Sequence, residues 1–134
     1  MMERPSRQVQ FVSAEVENLG DNRARVQVKL RRASGELYIG TVEGPASSAD
    51  TLQAAAQAAM EAALQAAGSV NSELAVEKVQ VNDSLGPKAV FVAITDQYDR
   101  RVRPLIGLCV VHADLLQAVA FAVLNATNRI LGIG

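Results

Sequence analysis

The chain has 134 residues, 49% of them apolar, which is enough hydrophobic material for one domain around one core. With 13 basic and 14 acidic side chains it has no basic excess to neutralise phosphates, so no nucleic-acid partner is expected. The single cysteine, Cys109, cannot close an internal disulfide, and this points to a reducing, cytoplasmic setting.

Residues 1–7 are polar and lack the apolar stretch of a secretory signal, so they read as a flexible end before a single domain over 8–134. From Gln8 to Glu17 apolar residues alternate with polar ones. The phase changes near Val12, which predicts a bulged, half-buried strand. Gly20-Asp21-Asn22 signals a turn. Val26, Val28 and Leu30 alternate with Arg25, Gln27, Lys29 and Arg31, so the apolar set lines one face of a second strand. Leu37 to Glu43 follows as a third strand. Gly44-Pro45 breaks the chain, Ser47, Ser48 and Asp50 offer helix caps, and the alanine-rich run Ala49 to Ala67 is a helix stopped by Gly68.

The order then recurs. Leu74 to Val81 and Ala89 to Thr95 read as strands around a turn at Ser84 to Pro87. Asp96 to Arg103 reads as a charged loop or hairpin end, and Leu105 to Val111 as a nearly continuous apolar strand. Asp114 is a cap candidate for a helix over Leu115 to Leu131. The apolar tract Leu105 to Leu124 is long enough to span a bilayer. His112, Asp114 and Gln117 interrupt it, so a strand followed by a helix is expected instead, with no membrane partner.

Laid over each other, the two helices align without gaps. Ala49, Asp50, Leu52, Gln53, Ala54 and Ala56 match Ala113, Asp114, Leu116, Gln117, Ala118 and Ala120. The same offset sets Val26, Val28 and Leu30 over Val90, Val92 and Ile94, and a small shift sets Ile39-Gly40 over Ile106-Gly107. Agreement of strands, glycines and helices in one order predicts a duplication, with repeats over 8–68 and 72–131. The fold class is therefore α+β: βββα-βββα with pseudo-twofold symmetry, its antiparallel sheets packed with two helices.

The second helix is apolar almost all round. Every residue from Ala118 to Leu124 is apolar, and Phe121 sits in the row shared by Gln117 and Asn125. Such a helix needs cover on more than one side. A second subunit would provide it, so a homodimer or higher homo-oligomer is expected; a loop or the first helix is the other source of cover.

Few residues carry chemistry. His112 is the only histidine and no second cysteine exists, so neither a metal site nor a cofactor is expected. The serines lie in turn and cap contexts. Glu15, Glu17, Glu43 and Asp50 have no spacing that makes an acid–base pair, so the chain does not read as an enzyme. The two helix starts could each offer backbone N–H groups to an anion, although a carboxylate at each already satisfies some donors.

Gly107, then Asp114-Leu115-Leu116-x-Ala118, Ala122 and the closing Asn125-Ala126-x-Asn128-Arg129-x-Leu131, resemble the end of the C-terminal regulatory domain of isopropylmalate synthases. Gly44-Pro45 with its Asp-led, alanine-rich helix resembles the Gly-Pro-Val-Asp-Ala segment of that family. The resemblance implies the same duplicated βββα architecture. It also implies a dimeric domain that binds a branched-chain amino acid effector at the strand-to-helix junctions. Carried over by position, the ligand-binding residues are Gly44, Pro45, Ala46 and Asp50 in one half and Val111, His112, Ala113 and Asp114 in the other. Ser47 and Ser48 lengthen the first junction, and His112-Ala113 replaces a small hydroxyl residue in the second. The catalytic barrel of the synthases is not in this sequence, so the resemblance implies regulation and not synthesis. The alternative reading is a structural or protein-interaction oligomerisation module with no small ligand.

Overall fold

Strand alternation sets the architecture. In the computed structural model the described residues are 9–68, 73–84, 86–98 and 101–131. Residues 1–7, expected as a flexible end, lie outside them. The elements are β1 (Val9–Gly20), β2 (Arg23–Arg32), β3 (Leu37–Pro45), α1 (Ser48–Ala67), β4 (Leu74–Asn82), β5 (Ala89–Tyr98), β6 (Arg101–Val110) and α2 (Leu115–Leu131). Strands β1-β2-β3 form one antiparallel sheet and β4-β5-β6 a second, each followed by its helix. The fold is the expected α+β duplication, βββα-βββα.

On β2 the residues Ala24, Val26, Val28 and Leu30 are buried, and on β5 Val90, Val92 and Ile94 are. All of these except Ala24 belong to one core cluster that also takes in both helices. The repeat extends to irregularities. Phe11 pairs with Leu30 and Val76 with Ile94, and each strand then skips one residue before the ladder resumes at Ser13 and Lys78. The bulge expected near Val12 thus has a partner at Glu77 that alternation alone did not reveal. An extra residue reverses the face of everything before it, so both first strands keep their apolar positions inward on either side of it.

Gly40 and Gly107 show why the strand glycines match. Gly40 of β3 lies directly beneath the Ala58 carbonyl of α1, and Gly107 of β6 beneath the Ala122 carbonyl of α2. A β-carbon at either position would overlap that oxygen. Glycine and alanine together let each helix sit unusually close to its sheet.

Each helix touches both sheets. α1 packs on β2 and β3 and reaches β4, while α2 packs on β5 and β6 and reaches β1; the helices also pack on each other. Within the chain, α1, one of the covers expected, and β1 both pack on the apolar α2. Phe121 rests against Phe11 of β1, their ring centroids 5.3 Å apart, and stays 39% exposed. Among the described residues no helix is long and apolar enough to cross a membrane.

Three boundaries differ from the sequence reading. Asp96 to Arg103, expected as a loop or hairpin end, is largely strand: Asp96 pairs with Arg103, Gln97 with Val102 and Tyr98 with Arg101. Ladder bonds are made by the backbone, so charged residues continue a hairpin that apolar ones began. Strand β3 runs on to Pro45, which pairs with Arg23. Helix α1 starts at Ser48 with Ser47 as its cap, whereas α2 starts after Asp114, so the aligned residues Asp50 and Asp114 do not hold the same helical position.

Candidate functional site

The two strand-to-helix junctions are built locally. Ala46 donates its N–H to the Asn22 carbonyl at 2.8 Å, and Val111 donates to the Lys88 carbonyl at 2.8 Å, so each junction is tied to the hairpin of its own sheet. At the first, the Ser47 hydroxyl accepts from the Asp50 N–H at 3.2 Å and donates to the Asp50 carboxylate at 2.6 Å. At the second, the Asp114 carboxylate accepts from the Leu116 N–H at 3.1 Å. Each is an N-cap that satisfies one donor of the first turn.

Of the candidate ligand residues, Gly44 and Val111 are half-buried, whereas Pro45, Ala46, Asp50, His112, Ala113 and Asp114 are exposed. No hydrogen bond or ion pair among the described residues joins the first group to the second. Each set is held by bonds within its own half of the chain.

The other candidates are also dispersed. Cys109 is half-buried, and desolvation pushes its thiol pKa upward, which disfavours the thiolate. Glu17 and Glu43 flank Arg25 at 3.1 and 3.4 Å on an exposed face. Among the described residues no three His, Cys, Asp or Glu side chains gather where they could hold a metal ion.

Two features went unseen in the sequence. The first is a groove between α1 and β4 of about 320 Å³, lined by Gln57, Met60, Glu61, Leu64, Leu74, Ala75 and Val76. Under the repeat, Gln57 corresponds to Phe121 and Val76 to Phe11. The aromatic pair therefore occupies in one half the place that is open in the other. The bulge frees the Val76 carbonyl on the groove wall, and the Gln53 amide donates to it at 3.2 Å. The helix alignment already set Gln57 over Phe121, but only matching positions were informative there, and the match of Val76 to Phe11 rests on the bulge register.

The second is the outer face of the β4-β5-β6 sheet. Ile106, Leu108 and Val110 are 62%, 48% and 38% exposed. Leu108 lies beside Phe91, and Ile106 beside Ala93. The nearly continuous apolar sequence of β6 hid which of its residues faced outward.

No family model and no curated protein matches the chain.

Proposed function

We propose that this chain is a non-catalytic, cytoplasmic regulatory domain. In this reading it works as a homodimer and binds a small metabolite, a branched-chain amino acid or a relative, where helix starts of two copies meet. The duplicated βββα frame carries the reading, because it is the architecture implied by the motifs at Gly44-Pro45 and Asn125 to Leu131. The exposed helix starts support it. Their free N–H groups suit a ligand carboxylate, and Asp50 and Asp114 suit an ammonium group. Thermal shift against a panel of amino acids and 2-oxo acids tests it. A ligand at a hundredfold its Kd stabilises by about 2.7 kcal/mol, a rise of several degrees for a domain of this size. A flat response across the panel at millimolar concentration overturns it.

The apolar outer face of β5 and β6 favours a second reading, an oligomerisation module with no small ligand. Contiguous exposed apolar surface of this kind marks association sites in soluble proteins. Light scattering on wild type and on the I106E/L108E variant separates the two. A wild-type oligomer that the variant dissolves, with no ligand response in either protein, selects the module. A wild type that stays monomeric removes it.

A further inference from the structure

We propose that the groove between α1 and β4 binds a small organic cation bearing a phenyl-sized apolar group. The proposal does not depend on the reading of the helix starts, which lie on other residues.

The molecule supplies the template for the occupant. In the other half the equivalent space holds the Phe121 ring against Phe11, with centroids 5.3 Å apart and planes inclined at 50°. Gln57 and Val76 stand at those positions beside the groove and carry no ring. The surrounding surface nonetheless remains apolar: Met60 is buried, and Leu64, Leu74 and Val76 are half-buried along the walls. A ring placed there takes the remaining exposed part of those side chains out of water.

Charge fixes the other end of the ligand. Among the described residues, Glu61 is the single charged one lining the groove. Its counterpart Asn125 is neutral and accepts from the Leu108 N–H at 3.2 Å, whereas Glu61 has no partner among the described residues. A carboxylate beside an apolar wall attracts an ammonium group and repels an acid. A volume at the lower end for small-ligand sites suits a molecule of this size. An open groove and about nine ligand atoms set the Kd on the order of millimolar.

Titration of the amide nitrogen–proton NMR spectrum with phenethylamine, and separately with phenylacetate, tests the assignment. Phenethylamine is expected to move the resonances of Gln57 to Leu64 and Leu74 to Val76. Phenylacetate is expected to bind roughly fivefold more weakly, since a favourable pair becomes a repulsive one. The E61Q variant should keep the fold and lose the preference between the probes. The Q57F/V76F variant places the aromatic pair of the other half in the groove. It should abolish the shifts and raise the Tm by roughly 3 °C. Shifts centred elsewhere, equal affinity for both probes in the wild type, or unchanged binding by Q57F/V76F would each overturn the proposal. Should that double variant fail to fold, the E61Q comparison decides alone.

Discussion

The outer faces of the two sheets occupy equivalent places in the repeat and carry opposite chemistry. On the first, Arg25 bridges Glu17 and Glu43, and Gln27 donates to Thr41 at 3.4 Å. On the second, Ala89, Phe91 and Ala93 stand where Arg25, Gln27 and Lys29 do, and Leu108 and Val110 where Thr41 and Glu43 do. The inner faces show no such contrast: Val26, Val28 and Leu30 answer Val90, Val92 and Ile94 in a single core. Inner positions are held alike because both halves pack the same way. Outer positions and the two helix–strand grooves are free to diverge, and there the halves carry different side chains. Perturbing matched positions therefore tests the shared frame, and perturbing mismatched ones tests the divergence.

The largest effect is expected at the two glycines. Gly40→Ala and Gly107→Ala each push a β-carbon into a helix carbonyl, and neither backbone can yield without moving a whole helix. Each should cost about 3 kcal/mol in urea unfolding, with the two values within about 1 kcal/mol of each other. Tolerance at one site with collapse at the other would break the equivalence of the halves.

The groove gives the next largest difference. Phe11→Ala removes a ring that packs against Phe121 and the core cluster, and should cost about 2 kcal/mol. Gln57→Ala, at the exposed position matching Phe121, should change stability by less than about 0.5 kcal/mol. Equal losses would mean that the groove is filled in solution.

Alternation in β2, the alanine run of α1 and the glycine pair each reflect a constraint written into neighbouring residues: the pleat, the helical period and a close approach. The strands, the helices and the duplication were legible for that reason. The outer face of β6 was not, because Leu105 to Val111 is apolar at nearly every position and so has no readable phase. The first helix was among the covers expected for α2, but β1 was not, because that contact joins residues far apart in the chain. Of the candidate ligand residues, Gly44 and Pro45 close strand β3 and Asp50 lies in the first turn of α1; whether the two junctions share a site depends on contacts between copies of the chain. The groove arises where the halves differ, and a repeat argument looks for where they agree.

A smaller effect probes the helix starts. Ser47→Ala and Asp114→Ala each remove a cap acceptor and should cost about 1 kcal/mol. Asp50→Ala should cost less than Asp114→Ala, although the two residues align. Asp50 lies inside the first turn of α1, where its carboxylate accepts from the Ser47 hydroxyl and takes no backbone donor as its own cap. Equal losses at both aspartates would mean that α1 begins one turn later than described.

The smallest effect distinguishes Cys109 from Val42, its counterpart on β3. Burial raises the thiol above the ordinary value of 9.0. The folded protein therefore holds this proton more tightly than the unfolded chain does. The stability linked to it is fully present below about pH 9 and is lost as pH rises through the folded value. Cys109→Val installs the residue of the other half and leaves nothing to titrate. It should unfold like the wild type at pH 7, to within about 0.5 kcal/mol. Above pH 9 the wild type should lose stability faster than the variant in urea melts at matched ionic strength. Parallel curves through that range would mean that the thiol is as solvated in the folded protein as in the unfolded chain. The packing of Cys109 against the core would then be looser than that of Val42.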